Sequence, residues 1–272
     1  MKRKTYNARA AIPADLQAAL DSGREEPLTL AEWLAVDYRK LLAAALPGAG
    51  LGQAVDQLIA VADSADGVMA RQRAIGAALL PLIRAAAEPQ SCYECVAAHA
   101  SGVVREWAAL CWTADPGYDL ATRLTGARRF AADPSMNVRE IAWSSFRPWL
   151  AEDLDNAVAL LAPWTRDADP NIRRCAIEAT RPRGVWCVHI DALKQTPQLA
   201  LPLLEAVRSD TSRYVQLSVA NWLNDVSKHQ PDWVRQTTAR WLAESPTSET
   251  RWIVHHALRT LRKQGVENAR TR

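Results

Sequence analysis

The chain has 272 residues, of which 49% are hydrophobic, and it carries a formal net charge of +3. A charged fraction of 23% beside this apolar content excludes a disordered chain and is typical of a folded globular protein. The weak positive balance permits a nucleic-acid partner without requiring one, because the distribution of charge matters more than its sum.

The N-terminal segment, residues 1–27, is polar and mixed, with one short helix expected near residues 15–20. It is basic but lacks the apolar stretch of a signal peptide. Further along the chain, no apolar run approaches the ~20 residues that a membrane span requires. We therefore expect a cytoplasmic protein without membrane contact.

The helical part of the chain is predicted to begin at residue 28. Thr29 followed by Glu32 is a capping-box pattern, which predicts one helix over residues 29–46. The long apolar stretch that follows is expected to kink or break at Pro81, since proline lacks the N–H that a helix interior requires. The expected elements after the first helix are helices over residues 51–63 and 67–87, then shorter helix pairs separated by Asp-Pro turns at Asp115, Asp133 and Asp169.

Cysteine usage points to reduced thiols. The chain has five cysteines, an odd number, as expected for a protein of a reducing compartment. Cys92 and Cys95, followed by His99, have the spacing of half a zinc site, or alternatively are small residues packed inside a helix. Because a second pair of ligands at suitable spacing is missing, we expect no metal site here.

A sequence pattern recurs at a fixed interval in the middle of the chain. Val104-Arg105, Val138-Arg139 and Ile172-Arg173 each open a helix, and successive copies are 34 residues apart. A period of this length indicates an array of helix pairs, each of which buries its apolar face by stacking on its neighbours. A fourth copy opens at Val215 and a last one near Arg251. The fold class predicted is all-α, a curved α-solenoid spanning residues 28–265 and followed by a polar tail, residues 266–272, that we expect to be disordered.

The third copy carries the strongest candidate site. Glu178 lies on one helix face with Arg174 and Arg181, because three- and four-residue spacings are neighbours on a helix. The helix is expected to end near Arg181, since the residue before a proline is pushed out of the helical region. Arg183 and Trp186 follow at once. A carboxylate flanked by guanidinium groups, with an indole close by, can hold an anion and a flat cation side by side.

Neighbouring copies contribute further candidates. In the second copy, Arg147-Pro148 aligns with Arg181-Pro182, and Trp143 precedes it by four residues. In the fourth copy, Asn221 occupies the position of Glu178, and Asp225 follows one turn later on the same face, which Lys228 extends. Four other tryptophans fall at positions expected to pack in the core: Trp33, Trp107, Trp222 and Trp241.

Four segments together resemble the HEAT-like-repeat class of bacterial DNA alkylation-repair glycosylases, AlkC more than AlkD. These segments are TLAEWLAVDY (29–38), EATRPRGVW (178–186), SVANWLNDVSKHQPDW (218–233) and HHALRTLRKQG (255–265). The resemblance implies HEAT-like repeats curved around duplex DNA, and hydrolysis of the N-glycosidic bond of cationic N-alkylated bases such as 3-methyladenine. It also implies a nucleoid-associated monomer that needs neither metal nor cofactor.

The resemblance further implies roles for individual residues. Glu178 and Asp225 match acidic residues of the family and are the expected catalytic groups, while Trp186 and Trp143 are expected to contact the lesion. The residues expected to contact DNA are Arg139, Arg147, Arg173, Arg181, Arg183, Asn221 and Lys228.

The chain departs from the family pattern at Trp143, where the family has a glutamate. The acidic cluster is thus one carboxylate short. This departure favours an alternative, a non-catalytic helical-repeat protein that binds damaged or distorted DNA. A protein–protein scaffold is a third reading, since such repeat arrays commonly serve that purpose.

Overall fold

A computed structural model describes residues 3–184 and 187–270, with side chains through residue 264. Within these residues every regular element is helical and none is a β-strand, so the all-α class is confirmed. None of the helices in this part of the chain is both long and apolar enough to cross a bilayer. By its contacts the chain divides into two compact units, Met1–Phe146 and Arg147–Arg272.

The first unit contains eight helices and the start of a ninth. They are α1 (Ala14–Asp21), α2 (Leu30–Ala35), α3 (Tyr38–Ala45), α4 (Val55–Asp63), α5 (Val68–Ala85), α6 (Pro89–Ala97), α7 (Gly102–Thr113), α8 (Leu120–Ala131) and α9 (Met136–Glu152). Residues 147–152 of α9 belong to the second unit. The remaining helices of the second unit are α10 (Leu154–Leu161), α11 (Pro170–Ala179), α12 (Asp191–Gln195), α13 (Leu201–Ala206), α14 (Arg213–Val226), α15 (Pro231–Glu244), α16 (Ser248–Ala257) and α17 (Arg259–Arg270).

The predicted helix over residues 29–46 is two helices. Its start is as expected, because the Thr29 hydroxyl accepts the backbone N–H of Glu32 at 3.2 Å. The chain then leaves the helical region at Val36, with φ −58° and ψ 126°. Asp37 starts α3 anew by accepting two backbone N–H bonds from its first turn. The aspartate is therefore a second N-cap inside what the apolar pattern presents as one helix.

Two other segments differ from expectation. Helix α5 continues through Pro81 as one element, from Val68 to Ala85, so the break that was one of the two alternatives there is absent. Helix-forming residues on both sides of Pro81 outweigh its local effect. Helix α17 runs to Arg270, so the tail that was expected to be disordered, residues 266–272, is helical up to Arg270.

The core is built from the apolar faces that the repeats predict. The four tryptophans expected to pack inside are buried, with Trp107, Trp222 and Trp241 completely inaccessible to solvent and Trp33 8% exposed. Trp33 also donates its indole N–H to the two oxygens of Glu106, at 2.9 and 3.0 Å. Burial in this apolar surrounding raises the pKa of the Glu106 carboxyl well above its usual value.

The arginine that recurs every 34 residues has the same structural role in each of the three copies. In the first unit, Arg105 donates to the carbonyls five and six residues before it and forms a two-pronged ion pair with Asp133, both bonds being 2.8 Å. Arg139 makes the same two bonds to preceding carbonyls. In the second unit, Arg173 repeats the pattern with Asp210, at 2.6 and 2.9 Å. Each arginine thus ties the turn before its helix, and Arg105 and Arg173 also bind the acid that precedes the next copy.

Candidate functional site

The C-terminal end of α11 is held by side chains from two other helices. Three successive carbonyls, those of Ala179, Thr180 and Arg181, have no partner within the helix. The Trp222 indole donates to the Thr180 carbonyl at 2.9 Å. The buried guanidinium of Arg147 donates to the carbonyls on either side of it. This bonding fixes the direction in which the chain leaves α11, and with it the position of the Arg181 side chain.

Arg181 joins two carboxylates into one cluster. Its Nη1 donates to Oε2 of Glu178 at 3.0 Å. Its Nε and Nη2 both donate to Oδ2 of Asp225, at 3.0 and 2.9 Å. The side chain is 14% exposed, so these charge-assisted bonds form largely away from water. The structure thus brings together the two acids and the central arginine of the predicted site, from α11, the turn after it and α14.

Glu178 is fully engaged within the cluster. Besides Arg181, its carboxylate accepts the Ser218 hydroxyl at 2.6 Å and lies 3.6 Å from the Arg174 guanidinium. Burial opposes ionisation of the group, but Arg174, Arg181 and Ser218 together hold the pKa of Glu178 below its usual value. Glu178 is therefore a buried, ionised carboxylate, and its bonds orient Arg181.

Asp225 differs from Glu178 in that the described residues donate hydrogen bonds to only one of its two carboxylate oxygens. Both bonds from Arg181 go to Oδ2, and no described residue donates a hydrogen bond to Oδ1. Burial, which Arg181 and Lys228 only partly offset, raises the pKa of Asp225 above that of an ordinary aspartate. In sequence, no arginine lies within one helical turn of Asp225. In the structure, Arg181 nevertheless reaches Asp225 from a position 44 residues away.

Arg259 is a site residue that sequence reasoning missed. At the start of α17, its Nη2 donates to the Asn221 side-chain oxygen and its Nη1 to the His256 carbonyl, both at 2.8 Å. Burial lowers the pKa of Arg259, Asp225 partly offsets this effect and Arg181 adds to it, so the guanidinium lies within electrostatic reach of the cluster. The only available signal was the segment 255–265, which carries the family resemblance without marking this arginine.

Two residues expected to face DNA are instead buried. Arg147 is 3% exposed, and its guanidinium donates to three backbone carbonyls, including that of Val188 at 3.3 Å. Trp143, in the first unit, is also 3% exposed, and its indole donates to Glu140 at 2.9 Å. Trp143 lies one repeat, 34 residues, before Ile177, which is also buried. Its burial is therefore explained by its position on the apolar face of the repeated helix. The burial of both side chains gives no support to Arg147 as a phosphate contact or to Trp143 as a lesion contact, and both roles stay predictions.

The other candidates divide by their contacts. Arg139 and Arg173 make the repeat bonds described above, which account for both residues without DNA. Arg183 has a buried Nε for which the described residues provide no hydrogen-bond partner, and Lys228 is exposed. Trp186 lies outside the described residues.

The half-zinc pattern on α6 has no completing ligands nearby. Cys92 is buried whereas Cys95 is exposed, and burial raises the pKa of the Cys92 thiol. Over the part of the chain that the structure describes, no group of three His, Cys, Asp or Glu side chains is placed to hold a metal ion.

Comparisons with known proteins relate the region that holds this cluster to DNA alkylation repair proteins. Residues 136–261, which include the whole carboxylate cluster, match the family model described as DNA alkylation repair enzyme. The YhaZ protein of Bacillus subtilis (strain 168), itself uncharacterized, is 42% identical over 123 residues, which are 45% of this chain and 34% of that protein. The match thus spans about a third of the relative's length.

Two solved structures resemble the chain over most of its length. One is the Pseudomonas fluorescens alkylpurine DNA glycosylase AlkC bound to DNA containing an abasic site analog. It has a TM-score of 0.69 and 28% identity, over 82% of this chain and 61% of that one. The other is AlkD2 of Streptococcus mutans, with a TM-score of 0.56 and 18% identity over 75% of this chain and 96% of that one, a likeness of fold alone. The resemblance to the AlkC/AlkD superfamily of DNA alkylation-repair proteins that the sequence indicated is therefore confirmed, with the family match lying in residues 136–261.

Proposed function

We propose that this protein is a DNA glycosylase that hydrolyses the N-glycosidic bond of cationic N-alkylated bases, such as 3-methyladenine, in duplex DNA. It would act as a monomer in the first step of base excision repair. The observation that carries the proposal is the cluster of Glu178, Arg181 and Asp225, in which one carboxylate oxygen receives no hydrogen bond from any described residue. The family match and the likeness to a DNA-bound glycosylase support the same conclusion.

The chemistry needs only what the cluster offers. A base that already carries a positive charge is a good leaving group and needs no protonation. The sugar gains oxocarbenium character as the bond breaks, and a water molecule must be directed at C1′. A fixed carboxylate stabilises the developing cation and accepts a proton from that water. Oδ1 of Asp225 is suited to both tasks, because Oδ2 is held by Arg181 and the rotamer is thereby fixed.

The two acids then have different roles. Asp225 is the proposed catalytic residue. Glu178 is a positioning residue, since Ser218, Arg174 and Arg181 use its oxygens. Arg183 and Lys228 remain proposed phosphate contacts, and Trp186 a proposed lesion contact.

The competing proposal is a damage-binding protein without catalytic activity. Trp143 favours it, because an indole stands where the family has a glutamate, and this indole is buried against Glu140. Such a protein would bind alkylated duplex and leave the glycosidic bond intact.

Release of free bases from methylated genomic DNA, measured by liquid chromatography and mass spectrometry, separates the two proposals. A glycosylase releases 3-methyladenine or another cationic alkylated purine at a rate that depends on enzyme concentration. If no alkylated base is released while salt-dependent binding of the same DNA persists, the glycosylase proposal fails and the damage-binding one stands.

A further inference from the structure

An arginine at the start of α14 is fixed in place by an aromatic stack. The Arg213 guanidinium carbon lies 3.9 Å from the centroid of the Trp252 ring. The other neighbour of this ring is His256, whose centroid is 3.9 Å away at an interplanar angle of 19°. Cation–π attraction favours a guanidinium stacked over the face of a tryptophan. Arg213 is therefore an exposed side chain whose orientation is set before any ligand arrives.

The donors of this arginine are unused. A guanidinium offers five N–H groups in a planar fork. Arg213 makes no hydrogen bond and no ion pair with any residue in the described part of the chain, although Glu249 lies within its electrostatic reach, and its guanidinium packs on the face of Trp252. By contrast, Arg105 and Arg173 each donate hydrogen bonds to backbone carbonyls and to an aspartate. A preorientated fork without an acceptor is the arrangement that suits a phosphate or carboxylate ligand.

Further cations continue the same surface on α16 and α17. Arg259 donates to the His256 carbonyl, and Arg262 lies 2.7 Å from Nδ1 of His255. Burial, His255 and these arginines together with Arg213 all lower the pKa of the His256 imidazole, as expected for cations on the same surface. We name this set the terminal basic surface, and its members are Arg213, Trp252, His255, His256, Arg259 and Arg262.

The arginines of the terminal basic surface are not neutralised by bonded carboxylates, although Glu249 lies within electrostatic reach of Arg213 and Asp225 within reach of Arg259. None of its three arginines forms an ion pair with a carboxylate among the described residues, whereas the arginines of the repeats do. Like charges gathered on one surface repel one another, and an anionic ligand removes this cost. Arg259 also joins the surface to the candidate active site, because its partner Asn221 lies one helical turn before Asp225 on α14.

We propose that the terminal basic surface binds phosphate groups of the duplex DNA flanking the lesion, with Trp252 positioning Arg213 for a two-pronged contact. The proposal rests on the proposed function in taking DNA as the ligand. It assigns the phosphate contacts to exposed arginines that were not predicted from the sequence, and not to the buried Arg147. Phosphate contacts of this kind set the register of a protein on DNA and carry no sequence information.

The test measures binding of the full chain to an undamaged fluorescent duplex by anisotropy, from 50 to 200 mM salt. Each phosphate contact contributes about 0.9 to the log–log salt slope. Arg213→Ala and Arg259→Ala should each lower the slope by about 0.9, so that affinity falls about 3.5-fold less across this fourfold salt range. Arg235→Ala is the matched control, because it removes an exposed arginine of the same unit that is paired with Asp232 at 2.8 Å.

Further variants separate positioning from charge and from folding. Trp252→Leu keeps every cation, so it should weaken binding while the salt slope stays near that of the wild type. Arg213→Gln keeps a planar side chain over Trp252 without its charge, and it replaces Arg213→Ala if circular dichroism shows that the alanine variant is misfolded.

Two results would overturn the proposal. One is a wild-type salt slope in both arginine variants. The other is binding of polyglutamate as tightly as duplex at equal ionic strength, which would reassign the surface to acidic polypeptides. Failure of the proposed function is seen separately, because a protein that binds duplex through these arginines but releases no base keeps the surface and loses only the catalytic assignment.

Discussion

Replacing Asp225 by asparagine isolates the charge of the proposed catalytic group. The substitution keeps the shape of the side chain, and its amide oxygen can still accept from Arg181. The amide nitrogen then takes the place of Oδ1, so a donor replaces the one acceptor to which no described residue donates. The negative charge and the ability to receive a proton from water are lost together.

The expected loss is large in rate and small in stability. Removing a preorganised group of this kind costs ~10²–10³ in rate, or roughly 2.7–4 kcal/mol of transition-state stabilisation. Because folding raises the pKa of Asp225, the ionised carboxylate opposes folding relative to its neutral form at neutral pH. A neutral asparagine is therefore expected to keep the protein folded and bound to DNA.

The assay is single-turnover release of alkylated bases from methylated duplex, with enzyme in excess. Asp232→Asn is the matched control, since Asp232 is an exposed aspartate of the same unit that pairs with Arg235. The control should excise at the wild-type rate, and both variants should bind duplex with wild-type affinity.

Two outcomes would refute the reasoning about Asp225. If Asp225→Asn excises at the wild-type rate while Glu178→Gln is inactive, the catalytic and positioning roles of the two acids are reversed. If Asp225→Asn loses DNA binding and activity to the same extent, the carboxylate holds the site together and does not act on the sugar.

Three other predictions follow from the same contacts. Excision should decline on acidification with an apparent pKa above the ordinary aspartate value of 3.8, because Asp225 must be ionised and burial raises its pKa; a pH–rate profile with an acidic limb at or below that value would contradict this. Glu178→Gln should lower the free energy of unfolding by roughly 1.5–3 kcal/mol, because the charged acceptor of Arg181 and Ser218 is lost. Folding lowers the pKa of Glu178, so the stability that its ionised carboxylate contributes is present above the pKa of the unfolded state and is lost as the pH falls through the pKa of the folded state. Equal urea midpoints for the wild type and Glu178→Gln at pH 7 would contradict this prediction. Arg147→Ala should lower the free energy of unfolding in urea by about 3 kcal/mol, because three hydrogen bonds to backbone carbonyls are lost at about 1 kcal/mol each. The salt slope of DNA binding should stay unchanged in the protein that remains folded. A reduced slope would show that Arg147 contacts phosphate.

Local pattern was sufficient to predict the fold class and much of the helix map. The repeat interval of 34 residues, the cap at Thr29 and the helix end near Arg181 are all present in the structure. These features depend on residues within one or two turns of each other, and the physics of helix periodicity and capping acts over that range. The start of a second helix at Asp37 was not predicted, because the apolar pattern continues across this residue.

The roles of the arginines were decided by the tertiary structure. Arg139, Arg147 and Arg173 look in sequence like a basic surface, yet Arg147 is buried under the end of α11 and Arg173 is paired with Asp210. A guanidinium that binds a carbonyl or an acid of the next repeat has the same sequence neighbours as one that binds phosphate.

The candidate site was likewise only half visible in the sequence. Glu178 and Asp225 were identified there, but no local pattern indicated that Arg181 also binds Asp225. The link through Arg181 joins residues 44 positions apart, and Arg259 approaches Asn221 from 38 positions away. Such pairings arise from the stacking of one repeat on the next, which brings side chains together by packing and leaves no local mark on the chain.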